Sequence, residues 1–138
     1  MVPTPQPTQA PTPRPTQAQG SGNSALAAEV VRQTNMERAA RGLTELRVDS
    51  ELTRAATVRA RELVESFSHT RPDGSSWSSV SSAARGENIA MGYAAPAAVV
   101  AGWMNSEGHR ANILSSAYTK IGVGYVADGH YWTQQFIG

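Results

Sequence analysis

The chain has 138 residues, enough for one domain of ordinary size and too few for a second core. Twelve basic against 11 acidic side chains leave a net charge of +1 with the arginines scattered, which excludes the basic footprint of a nucleic-acid binder. The absence of cysteine removes disulfides, thiolate metal ligands and a cysteine nucleophile together, and no apolar run approaches the ~20 residues that span a bilayer.

Six of the eight prolines fall within the first fifteen residues, interleaved with Thr and Gln. Residues 1–23 therefore read as a disordered linker biased towards polyproline II, of the kind that holds an exported domain away from a wall or a neighbouring module. The folded domain is expected over 24–138. From Ser24 the pattern turns helical, with Leu26, Val30 and Thr34 on one stripe, Arg38 and Arg41 placed to suit the helix dipole, and Gly42 as a left-handed cap. Leu43 to Val48 reads as an extended connector with Leu46 or Val48 turned inward. Asp49 offers the N-cap of a second helix, with Leu52, Ala56, Ala60, Leu63 and Phe67 inward and Arg59, Arg61, Glu62 and Glu65 on the solvated face.

That helix gives way to Ser68, His69 and Thr70, and Arg71 to Gly74 is a turn signal. Ser75 to Arg85 reads as an irregular loop anchored by Trp77, and Gly86 to Gly92 as a strand with Ile89 buried. Pro96 suits the first turn of a third helix carrying Val99, Val100, Trp103 and Met104 inward and ending near Ser106, with Asn112 to Leu114 packing a short turn. Ile121 to Tyr125 and Trp132 to Ile137 alternate as the strands of a closing hairpin, with Asp128 and Gly129 at the centre of its turn. Gly122 and Gly124 flatten one strand face, so another backbone packs there or the strand bends. Helices that need sheet faces to cover make the fold class α+β.

His69, Glu87 and His109 stand out because each titratable group adjoins the end of a predicted element, with Glu107 and Ser106 as weaker additions. Two imidazoles and a carboxylate make a three-ligand set for a zinc-like cation with a fourth position open to water. Equally, Glu87 can hydrogen-bond a histidine and fix its ring within a polar network. A serine hydrolase would need Ser106 or Ser68 beside an oriented histidine, and the sequence has no G-x-S-x-G elbow.

Six fragments in order, Asn35 to Arg38, Ser68 to Gly74, Gly86 to Ala90, Trp103 to Leu114, Ile121 to Gly124 and Tyr131 to Gln134, resemble the CAP superfamily of cysteine-rich secretory, antigen-five and pathogenesis-related domains in its compact bacterial SCP-like form. The resemblance implies an α-β-α sandwich with a small antiparallel sheet between helices and a central cleft lined by two histidines, matching His69 and His109, and two acids. Glu87 matches the first acid. The second falls three residues after the Trp in larger relatives, a position held here by Ser106 with Glu107 next to it. Those relatives also carry a long insertion linked with sterol binding, which has no room between Trp103 and Gly108. The resemblance implies export to the cell surface or beyond. The expected function is a binding module whose cleft takes a divalent metal such as zinc, a small ligand, a lipid or a surface protein, the chain acting as a monomer. A metal-dependent peptidase or esterase is the competing reading, with Glu87 or Glu107 as base, and a structural or adhesion domain the third.

Overall fold

A computed structural model describes residues 18–138, with side chains from residue 22. The first helix, α1 (Ala18–Ala39), begins ahead of the expected boundary at Ser24, and the rest of the expected linker lies outside the described residues. Val30, Thr34 and Arg38, spaced four apart, form its buried stripe. The chain leaves the helix through Gly42, whose φ of 75° only glycine adopts without strain.

Leu46 is the residue of the connector that turns inward, leaving Val48 61% exposed in the two-residue strand β1 (Arg47–Val48). Asp49 caps α2 (Ser50–Glu65) as its spacing predicts, its side chain accepting from the Leu52 amide at 2.9 Å. The helix stops at Glu65, which leaves Phe67 46% exposed in the loop rather than inward. A 3-10 turn (Trp77–Val80) follows, anchored by Val80 instead of the half-buried Trp77. Then come β2 (Gly86–Met91), α3 (Pro96–Met104) with Pro96 in its first turn, and a separate helix α4 (Glu107–Ile113) where a short turn was expected. The hairpin β3 (Lys120–Val126) and β4 (Tyr131–Ile137) closes the chain through residues 127–130, with Asp128 and Gly129 central and Gly129 at φ 91°. His130, next in line, is held at φ 54° and its Nδ1 lies 2.6 Å from the Tyr125 hydroxyl.

The strand order is β1-β3-β4-β2, with β2, β3 and β4 antiparallel and the short β1–β3 pair parallel, so the sheet is mixed where an antiparallel one was expected. Period-two alternation sorts its two faces. Ile121, Val123 and Tyr125 of β3, with Trp132 and Phe136 of β4, join Val30, Val99, Val100, Trp103 and Ile113 in one core under α1, α3 and α4. The opposite face belongs to α2. There Gly122 and Gly124 lie directly beneath the helix backbone, and a methyl group on either would overlap the carbonyls of Leu52 or Ala56. A second row on that face, Glu87, Gln135 and Gly122, is brought into register by the ladder.

Candidate functional site

Glu87 is the pivot of the site. Its side chain is fully buried on the α2 face, where it accepts four hydrogen bonds: from Arg59 Nε (2.9 Å) and Nη2 (3.2 Å), from Gln135 Nε2 (3.0 Å) and from His69 Nδ1 (2.9 Å). Arg59, expected on a solvated face, is wholly buried. Burial works against its charge, but hydrogen bonds and attraction from Glu87, then Glu62, more than offset that and hold its pKa above the usual arginine value. The same guanidinium donates to Glu62 Oε1 at 3.0 Å and to the Ser68 carbonyl at 2.6 Å, which ties down the loop carrying His69. Arg71 grips Glu62 from the other side of that loop at 2.7 Å and donates to Ser79. Its hydrogen bonds, opposed by burial and supported by Arg59, keep the Glu62 carboxyl below its usual pKa.

A carboxylate accepts and does not donate, so Nδ1 of His69 carries the hydrogen and Nε2 is the nitrogen left to face outward. The His69 side chain is 51% exposed, which gives that nitrogen access to solvent. His109 approaches β2 from the opposite layer, within reach of the charge of His69, and the two rings mark this rim of the sheet. Trp103 Nε1 donates to the Ile89 carbonyl at 3.0 Å, pinning the end of α3 to β2, and the chain turns through Ser106 into α4. Ser106 occupies the N-cap position of α4, yet its hydroxyl lies 2.8 Å from His109 Nδ1 rather than capping the backbone. Asn88 holds the other side, donating to the His109 carbonyl at 3.1 Å and to Gln134 Oε1, while Asn112 donates to Asn88 Oδ1 at 2.9 Å. The two histidines thus flank β2, the edge strand, one from each layer of the sandwich. Glu107 lies exposed in the first turn of α4 and makes no hydrogen bond to either ring.

Among the described residues no three His, Asp or Glu side chains group so as to hold a metal ion. The hydrogen bonds give the reason: Glu87 is committed on both oxygens to Arg59, Gln135 and His69, and a cation there would have to displace them. What the rim offers instead is a pair of imidazoles, the first oriented by a carboxylate in the manner of a ligand's outer partner. The sequence places Arg59 on a solvated face and does not single out Gln135. Arg59 continues the Leu52, Ala56, Leu63 stripe at helical spacing, and that position was the available signal.

Burial, and after it the charge of His69, lowers the pKa of His109 below the ordinary 6.5. As pH falls through 6.5 the unfolded chain therefore takes up this proton before the folded one, so stability is full above that pH and declines below it until the folded pKa is passed. His69→Gln should move the His109 midpoint upward by removing the repulsion, as read from the ring resonances in an NMR titration. An unmoved midpoint would show that the two rings do not share a rim.

The family model for the cysteine-rich secretory protein (CAP) family matches residues 31–136. The chain belongs to the CAP family. The uncharacterised protein YkwD of Bacillus subtilis strain 168 is 45% identical over 123 residues, 83% of this chain and 48% of that protein. The uncharacterised membrane protein YlbC of the same organism is 37% identical over 117 residues, 79% of this chain and 33% of its own length. This CAP chain thus spans half the length or less of these curated relatives. In structure it is similar to an extracellular protein containing an SCP domain from Bacillus anthracis, with a TM-score of 0.78 and 28% identity, covering 94% of this chain and 45% of the other. No helix among the described residues is long and apolar enough to cross a membrane.

Proposed function

We propose that this CAP domain is an exported, non-catalytic binding module in which His69 and His109 jointly contact a ligand through their Nε2 atoms. The observation that carries the reading is the saturation of Glu87. A carboxylate locked between Arg59, Gln135 and His69 serves as an orienting group, and a hydrolase would need it free to accept a proton from water. Ligands that suit two imidazoles on one rim are a small polar molecule or a divalent cation such as zinc, whose remaining positions water would fill. Export is supported by the similarity to an extracellular protein and by the proline-rich composition of residues 1–23.

Titration of zinc chloride, followed through the ring resonances of both histidines, tests the site. Both rings should respond together, and His109→Ala should abolish the response at His69, because one imidazole holds zinc poorly. A response from one ring alone would defeat the shared site, and silence from both would remove the cation from the reading. Profiling on peptides and esters should show no turnover with or without chelator. Hydrolysis that disappears both with chelator and in His109→Ala would replace the binding module with a metal-dependent hydrolase.

A further inference from the structure

The two edges of the sheet are finished differently. At one, β2 is flanked by the loops and helix that carry His69 and His109. At the other, β1 ends at Val48, opposite Ile121, and β3 runs on to Val126 with no further strand beside it among the described residues. The Asp49 amide donates to the Ile121 carbonyl at 3.0 Å, so Ile121 directs its backbone groups away from β4. Alternation along a strand sends the N–H and C=O of Val123 and Tyr125 the same way. No hydrogen bond to them from another group is present among the described residues beyond the end of β1.

This edge opens into a cavity of about 550 Å³, well separated along the sheet from the histidine rim and lined by Ala27, Ala28 and Val31 of α1, Thr53 and Thr57 of α2, and Val48. Both threonine hydroxyls bond the helix backbone, to the carbonyls of Asp49 and Thr53, so the walls present mostly carbon. Leu52 lies over Gly122 and Ala56 over Gly124, which means α2 runs alongside β3 in the same direction and carries Arg61 towards the turn end of the cavity, which Asp128 also lines. Arg61 forms no ion pair with any described residue. Sheet edges are commonly blunted by proline, lysine or a bulge, and Val123 to Val126 carries none of these. The volume falls within the ~300–1,000 Å³ typical of ligand sites, yet a purely apolar occupant would leave the amides of Val123 and Tyr125 without partners.

We propose that this edge takes an extended peptide segment of a partner protein as a fifth strand, apolar where it meets Val31 and Val48 and acidic where it reaches Arg61. Backbone N–H and C=O groups on such a segment repeat at the spacing that Val123 and Tyr125 present, which no acyl chain does. About four residues fill the open length at ~3.4 Å each. The site uses none of the groups of the histidine rim, so the two readings stand or fall separately.

The test is titration of the full chain, labelled with ¹⁵N, with an acetylated and amidated pentapeptide of alternating valine and threonine ending in aspartate. Amide shifts and slowed hydrogen exchange are expected at Val123 and Tyr125. Ala28→Trp, an exposed position on the cavity wall, should weaken binding about tenfold or more by filling the space, and Arg61→Glu should weaken it about threefold through charge reversal. Thermal melts of both variants confirm folding, and His109→Ala should bind the peptide as the parent does. Equal binding of a peptide N-methylated at alternate residues would overturn strand addition. So would unchanged affinity in Ala28→Trp, no shift at Val123 and Tyr125, or decanoate producing the same shifts in place of the peptide.

Discussion

Arg59→Met is expected to destabilise the domain by about 4 kcal/mol, since removing one partner of a buried ion pair leaves the other charge uncompensated. Glu87 is fully buried, and Arg59 supplies two of the four hydrogen bonds that satisfy it. The substitution also releases the Ser68 carbonyl and Glu62, so the loop bearing His69 loses its tether at the same time. The double variant Arg59→Met with Glu87→Gln should recover about half of the loss, because a buried pair as a unit is close to break-even against neutral groups of similar shape. Urea unfolding midpoints measure both effects, and the ring resonances of His69 should shift in the single variant. A single variant within about 1 kcal/mol of the parent would mean that water reaches Glu87 and that the buried-pair account is wrong.

The second large effect is expected at Arg38, again about 4 kcal/mol for Arg38→Met, by a different route. This guanidinium has no carboxylate partner among the described residues, and burial pulls its pKa below the usual arginine value. Its donors serve backbone carbonyls: Thr44 at 2.9 Å, Ile113 at 2.8 Å, Ser115 at 2.9 Å and Tyr118 at 3.4 Å. These lie in the connector before β1 and from the end of α4 into the chain before β3, so a single side chain of α1 clamps the adjoining connector to a segment far away in sequence. A methionine fills most of the volume but leaves the Thr44, Ile113 and Tyr118 carbonyls without this partner, each at a cost of about 1–3 kcal/mol, while Ser115 keeps the Tyr118 amide. Arg38→Lys keeps the charge and part of the bonding and should retain less than half of the stability lost in Arg38→Met. Hydrogen exchange localises the effect: faster exchange confined to residues 43–46 and 113–119 is expected, and a uniform rise would place the damage in the core instead.

Arg59 was misjudged from the sequence, whereas Arg38 does sit in the last turn of α1 as expected and only its burial was not foreseen. Arg38 near a helix end suits the dipole, and Arg59 among other charges suits a solvated face, so residue type outweighed position. Position was the better guide. Arg38 continues the stripe of Val30 and Thr34, and Arg59 that of Leu52, Ala56 and Leu63; a charged residue inside an apolar stripe signals a buried partner elsewhere in the chain. Such partners, Glu87 for one and the backbone after α4 for the other, are set by long-range packing and leave no local mark. The end of α3 near Ser106 was legible, but the helix α4 that follows was not: Ser106 holds its N-cap position while its hydroxyl turns to His109, so no side-chain cap marks the start.

By itself the sequence determined the α+β class, the Asp49 cap, the stops at Gly42 and in the hairpin turn, and the family to which the chain belongs, and it narrowed Gly122 and Gly124 to a close backbone contact or a bend. Each of these follows from spacing over a few residues or from a backbone conformation that only glycine adopts readily. Tertiary structure alone decided the parallel β1–β3 pair, the two buried arginines, the commitment of Glu87 to Arg59 and Gln135, and the open edge of β3 beyond Val48. Strand order and the partners of a buried charge depend on which segments meet when the layers close over the sheet. That closure is a property of the whole chain, so no window of a few residues contains it.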